Sequence, residues 1–335
     1  MSNSSDPPSP THPIPTTKTS SASSISWPSA FLIFSVLGPM AIALLIYQLD
    51  PLDPAPLPLH ELTQRVTAAA TRNAHMLKGS EFVGAGALVA PEDVAYDSKS
   101  GLIYTGCADG WSAADSVVEN WVFIGGRPLG LAHGHENEVF VADAEKSRVL
   151  CNVTLVMIKL HSPFVFFLGE NYVVLFMSPS KTSPHLSFLQ FHNMHKSRRR
   201  CRKYYLQGSK KGSVENFIDH LPGMPDNIRY DGEGQYWIAL TTEVTPYWDL
   251  ALRYPFIRKV LVIVKRYAAG KPHLEKNAGA FAVNLNGEPT AHYSDPELVL
   301  ITSGIKIGNY LYCGSTVNPY IIRLDVHQHP AHPTT

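Results

Sequence analysis

Four separated stretches of this chain repeat one local pattern, and the repeat narrows the accessible folds more than any other feature. They are PEDVAYDSKSGLIYTGCADG from Pro91, PLGLAHGHENEVFVADAEKS from Pro128, PDNIRYDGEGQYWIALTTE from Pro225 and SGIKIGNYLYCGSTV from Ser303. Each reads as a turn, an alternating strand, a tight polar turn and a second strand ending in small residues. The starts at 91 and 128 lie one interval apart, and those at 225 and 303 close to two. Paired hairpins at a period of about 40 residues predict β-propeller blades, none of which buries its faces without neighbours. The third stretch poses a separate question. Asp226-Asn227 stands ahead of a strand in which Ile228 and Tyr230 alternate with charged residues. An Asx pair there is either turn chemistry or a pair of oxygen ligands.

Lys+Arg and Asp+Glu both total 28, so no net field directs the chain to nucleic acid or to acidic partners. The basic cluster Arg198 to Lys203 reads as a solvated outer-strand face for the same reason. Cys107, Cys151, Cys201 and Cys313 are far apart and form no CxxC pair, which leaves room for one bridge without indicating its partners.

The N-terminus adds an address. Residues 1–26 are rich in Ser, Thr and Pro and are expected to be a disordered tail. Ala30 to Leu49 carries no charge, and about 20 residues suffice for a transmembrane or signal-anchor helix; a cleaved signal peptide is the alternative. A proline-rich linker is expected over 50–79. Lys18 precedes the apolar run while Asp50 and Asp53 follow it. That bias puts the body in a lumen, as an endoplasmic reticulum membrane or vacuolar protein of the secretory pathway.

Blades are expected over 80–150 and 198–328, with a tail at 329–335. Between the blocks, residues 151–197 lose the rhythm, although Asn152-Val-Thr is a glycosylation sequon usable in a lumen. A helical insertion is expected over 242–267, where Trp248, Leu250, Leu252, Phe256 and Val260 fall at helical spacing. It would either cap a central pocket, with Tyr247 and Trp248 facing substrate, or pack on the outer edge.

Together these stretches resemble the plant strictosidine synthase-like family, which is similar to the animal adipocyte plasma membrane-associated protein. The resemblance rests on PEDVAYDSKSGLIYTGCADGW, GRPLGLAHGHENEVFVADAEKS, the long block from RRCRKYYLQGSKKG through PDNIRYDGEGQYWIALTTEVTPYWDLALRYPFIRK, and SGIKIGNYLYCGSTVNPYIIRLD. It implies an all-β, six-bladed propeller behind an N-terminal signal or anchor. Residues 151–197 do not match the family, so the ring is expected to lack one to two middle blades and to expose strand edges. Alternative splicing or a faulty gene model is the hypothesis for this break, and an uninterrupted coding exon across codons 150–198 would remove it.

The wider relatives include lactonases and paraoxonase-like hydrolases that hold a divalent cation in the central channel. Their pattern implies Glu92, Asp226 and Asn227 as ligands for a hard ion such as Ca²⁺. The implied activity is metal-dependent hydrolysis of an ester or lactone. Two departures restrict it. Leu129 stands where those enzymes carry a His, and no carboxylate occurs from Leu298 to Gly314, with Glu297 just outside. The Pictet–Spengler condensation of true strictosidine synthases is therefore not expected. No GxSxG or HExxH motif offers another route. Cys107 and Cys313 are expected to be buried, and HQHPAH to be a mobile tail. A non-catalytic binding or scaffold propeller, or an inactive isoform, is the competing reading.

Overall fold

The computed structural model describes residues 31, 33–63, 65–109, 111–114, 118–133, 139–143, 148–150, 158–159, 173–176, 188–191, 199–205, 209–267 and 275–334. The sequon at Asn152 lies outside them. Two compact units are present, Met1–Pro51 and Leu52–Thr335.

In the first unit, Ile33–Leu37 is a π-helical turn and Gly38–Leu49 a 12-residue α-helix. Pro39 has no N–H for the ladder and its ring crowds the carbonyl of Ser35, which accounts for the wide turn ahead of it. Twelve residues span about 18 Å, short of the ~30 Å hydrocarbon core. Among the described residues no helix is long and apolar enough to cross a membrane, so the membrane-crossing helix expected over 30–49 is not shown. None of the residues of Gly38–Leu49 is buried.

The second unit is mostly β, built as several small sheets. The first sheet joins Val94–Asp97, Leu102–Gly106, Trp111–Ala114 and Glu119–Phe123 in sequential antiparallel order. The second joins Pro128–His133, Val139–Asp143, Arg148–Leu150 and Ile158–Lys159 in the same way. Two hairpins follow, Val173–Phe176 with Phe188–Phe191 and Cys201–Tyr204 with Val214–Ile218. The third sheet has Gly223–Tyr230, Gln235–Glu243, Gly279–Asn284 and Pro289–Ser294 in order. Thr71–Asn73 adds to its edge in parallel and His332–Pro333 beyond that. The fourth has Ile301–Ile307, Tyr310–Ser315 and Ile321–Asp325, completed by Ser80–Val83 from the other end of the chain.

Side-chain alternation explains how the sheets stack. On the third sheet Tyr236, Ile238, Leu240, Phe281 and Val283 share a cluster with Phe217 and Ile218 of the preceding hairpin and with Leu221 after it. The intervening Trp237, Ala239, Ala280 and Ala282 face Ile301, Leu311, Cys313 and Ile322 of the fourth sheet. Ile305 and Ile321 of the fourth then meet Val94 and Cys107 of the first, and Ala95 of the first meets Leu131, Val139 and Val141 of the second. The first, third and fourth sheets each pack against a neighbour on both faces, because a period-two strand offers each neighbour every other residue.

The hairpin turns follow from Asx chemistry. Asp97 accepts from the backbone N–H of Lys99, Asp231 from those of Glu233 and Gln235, and Asn284 from those of Asn286 and Glu288. Gly232, at φ +81°, occupies the left-handed region that such a turn requires.

Several expectations need adjusting. The stretch expected as linker contains the helix Leu59–Thr63 and the strand Thr71–Asn73. The C-terminal tail is docked: His332–Pro333 pairs with Thr71–Arg72, and the Thr334 hydroxyl donates to the Ala69 carbonyl. In the basic cluster, Arg199 is buried and donates to the Leu221 carbonyl, while Arg202 pairs with Asp219 at 2.7 Å. These cations tie the hairpin together instead of forming a solvated face. Two helices, Pro246–Arg253 and Pro255–Tyr267, interrupt the third sheet between its second and third strands.

Candidate functional site

The first strand of each main sheet has an irregular start or a close neighbour there. In the second sheet Pro128 and Gly130 face Asp143 and Ala142, so two residues oppose one and Leu129 is extra. In the fourth, Ile301 and Ser303 face Ser315 and Gly314, which bulges Thr302. In the third, Pro225 and Ile228 face Leu240 and Ile238, so two residues oppose Ala239 and Asp226-Asn227 forms the bulge. A bulge redirects side chains that a regular pleat would send to alternate faces. Pro91-Glu92-Asp93 holds the corresponding place in the first sheet, ahead of Val94. Ala90 and Leu300, just upstream of two of these entries, take positive φ (46° and 51°), a costly conformation for residues with a Cβ.

Close approach between neighbouring sheets is built into the same positions. A Cβ on Gly314 would lie 2.6 Å from the Glu92 carbonyl oxygen and 2.8 Å from that of Pro91. The Glu92 carbonyl accepts from the Thr302 hydroxyl at 2.7 Å, and its N–H donates to the Gly106 carbonyl at 2.9 Å. Ser315 N–H donates to the Pro91 carbonyl at 2.7 Å. The end of one sheet's second strand thereby abuts the start of the next sheet.

At the centre of these entries is a charge pair that the residue pattern did not reveal. Asp93 is fully buried. Its Oδ1 accepts from Val94 N–H (2.9 Å), the Ser303 hydroxyl (2.8 Å) and Arg229 Nε (3.3 Å). Its Oδ2 accepts from Leu131 N–H (2.8 Å) and from Arg229 Nη2, which also donates to the Leu131 carbonyl at 2.6 Å. One carboxylate therefore links all four main sheets. Arg229, expected as one of the charged residues alternating with the apolar ones, is turned inward and buried.

Glu92, Asp226 and Asn227 are each buried, at 7%, 8% and 1% exposure. Glu92 precedes Asp93, and Asn227 lies two residues before Arg229 on the same strand, so the Asp93–Arg229 pair ties their segments together. The Asn227 amide nitrogen is buried and meets no acceptor. Among the described residues no group of three His, Cys, Asp or Glu is arranged to hold a metal. Tyr247 is 65% exposed on the helix Pro246–Arg253, and Trp248 beside it is half-buried with an indole N–H that meets no acceptor. Leu129 is half-buried, and Glu297 is exposed in the turn before the fourth sheet. Cys107, Cys201 and Cys313 are free and buried. Burial pushes their thiols up to about 11, 12 and 12 respectively, which keeps them protonated and unreactive.

A family model described as strictosidine synthase-like, N-terminal, matches residues 73–111. The strictosidine synthase-like protein 6 of Arabidopsis thaliana is 38% identical, covering 90% of this chain and 97% of the relative. Protein 4 of that series is also 38% identical, with the same coverage. The match to protein 6 runs over 364 positions although this chain has 335 residues, so the relative carries residues absent here. The adipocyte plasma membrane-associated protein of Gallus gallus is 24% identical over 82% of this chain and 84% of its own length. Among solved structures, a Xanthomonas campestris gluconolactonase overlays with a TM-score of 0.40 at 11% identity, covering 71% of this chain and 73% of that one.

Proposed function

Because the chain belongs to the strictosidine synthase-like family, we propose that its sheets are the blades of a six-bladed-type β-propeller reduced in its middle blades, and that it hydrolyses small esters or lactones. One observation carries the catalytic part. The acidic-amide pair Asp226-Asn227 sits in a bulge of the third sheet's first strand, and Arg229 of that strand grips the residue next to Glu92.

Two carboxylates and one amide oxygen suit a hard cation such as Ca²⁺ in kind, with water completing a shell of about six to eight oxygens. The amide nitrogen of Asn227 without an acceptor is consistent with this, since a half-turn of the amide presents oxygen in its place. Glu92, Asp226 and Asn227 would hold the ion, which when bound would polarise the substrate carbonyl and lower the pKa of water. The chain's own contribution is positional. The bulge orients Asp226 and Asn227, the Asp93–Arg229 pair fixes the two segments, and Tyr247 and Trp248 would cover the substrate. Leu129 offers no proton transfer from the second sheet, and exposed Glu297 gives no support to a condensation.

The same reading keeps the body lumenal, in the endoplasmic reticulum or vacuole, with the apolar segment 30–49 as an anchor and Asn152 as a glycan acceptor. The apolar helix Gly38–Leu49, which has no buried residue, supports the anchor.

The test is to purify the protein, measure bound Ca²⁺, and assay aryl ester and lactone hydrolysis with and without chelator. Bound metal and chelator-sensitive turnover, both lost in Asp226→Ala, are expected. A folded, metal-free, inert protein would favour a non-catalytic binding propeller. Arg229 gives that second reading its specific support, because its guanidinium already satisfies the Asp93 carboxylate and the Leu131 carbonyl.

A further inference from the structure

The helix Pro255–Tyr267 presents an apolar face that the sheets do not cover. Phe256, Val260, Val264 and Tyr267 are 56%, 42%, 44% and 64% exposed. At 100° per residue, spacings of four, four and three bring all four within an arc of about 80°. Its opposite side is committed inward: Arg258 Nη1 donates to the Ala251 and Leu252 carbonyls at the end of the preceding helix. That contact sets the helix pair and fixes which face looks outward. Tyr254, 48% exposed, extends the stripe at its start and packs its ring 5.9 Å from Phe256.

Charge distinguishes among possible occupants of this face. The helix PFIRKVLVIVKRY has four cations, Arg258, Lys259, Lys265 and Arg266, and no acid. Lys259 and Arg266 fall on the flank of the exposed arc. A second copy of the same helix would bring like charges together across the contact. An anionic bilayer surface instead takes the apolar stripe into the acyl boundary, the flanking cations to its phosphates and the tyrosines to the headgroup level. We propose that Pro255–Tyr267 lies on an anionic lipid surface, as a membrane contact separate from the N-terminal apolar segment.

The full chain, reconstituted in vesicles of phosphatidylcholine with or without phosphatidylserine, tests this. An environment-sensitive fluorophore is placed on Val260→Cys or Val264→Cys, with Asn286→Cys as an exposed control and Cys151→Ser to limit background. Doxyl-lipid quenching at 260 and 264 should exceed that at 286 several-fold on anionic vesicles. It should fall in the double variant Lys259→Glu, Arg266→Glu while Asn286 remains unchanged. Two results would overturn the inference. One is quenching by aqueous iodide at 260 and 264 equal to that at 286. The other is protection from iodide without lipid quenching, accompanied by a cross-linked dimer, which would assign the face to a second copy. Vesicle flotation separates this inference from the anchor: a chain that floats with an unquenched label refutes the helix contact alone.

Discussion

Replacing Arg229 with leucine would take the guanidinium away from a carboxylate that has no contact with water, since Asp93 is 0% exposed. Asp93 would keep Val94 N–H, Leu131 N–H and the Ser303 hydroxyl, but these donors carry no net charge. The Leu131 carbonyl would lose its guanidinium donor as well. Removing one partner of a buried pair costs about 3–5 kcal/mol, mostly from the charge left behind. That is a loss of roughly two to three and a half decades in the folding equilibrium. Asp93→Asn on the Arg229→Leu background neutralises that charge and leaves the Oδ1 acceptor in place. The double variant is therefore expected to be more stable than Arg229→Leu alone, with a coupling of about 2 kcal/mol. Urea unfolding followed by tryptophan fluorescence gives the numbers, provided the m-value is unchanged between variants. A cost below about 1 kcal/mol for Arg229→Leu, or a double variant no better than the single, would refute the junction as described.

His292 is 3% exposed, packs 5.4 Å from Phe281, and is lowered to about 3 by burial and by nearby Arg72. The unfolded chain takes up this proton below its ordinary value of 6.5, so stability present above pH 6.5 should be lost as pH falls toward 3, at up to about 1.4 kcal/mol per pH unit. His292→Phe should flatten that part of a stability–pH curve; an unchanged slope would count against it. Gly314→Ala should destabilise by about 1–3 kcal/mol, because its Cβ would meet backbone oxygens of Pro91 and Glu92. A thermal melt equal to that of the parent would contradict this. Iodoacetamide at pH 8 should leave Cys107, Cys201 and Cys313 unmodified until denaturant is added, as read by peptide mass spectrometry.

The sheets were legible where one strand served two neighbours. Tyr236, Ile238 and Leu240 alternate with Trp237 and Ala239, and the two sets do face different neighbours. Asp93 was not legible, although it follows Glu92. A charged residue beside a strand ordinarily looks to solvent, and its partner lies 136 positions away. Arg229 misled for the same reason, since alternation gives a residue's face but not what that face meets. The tail at 329–335 read as mobile because its pairing with Thr71–Arg72 joins the two ends of the second unit. In the apolar segment, composition suggested one long helix, while Pro39 decided its geometry locally.

Local chemistry alone therefore specified the hairpins, their Asx turns and the period of the repeat, since each depends on residues a few positions apart. Tertiary structure decided which charges turn inward, which glycines must stay small and which apolar helix face is left uncovered. Those outcomes arise where strands from different repeats meet, and the partners there are too far apart in the chain for any local pattern to record.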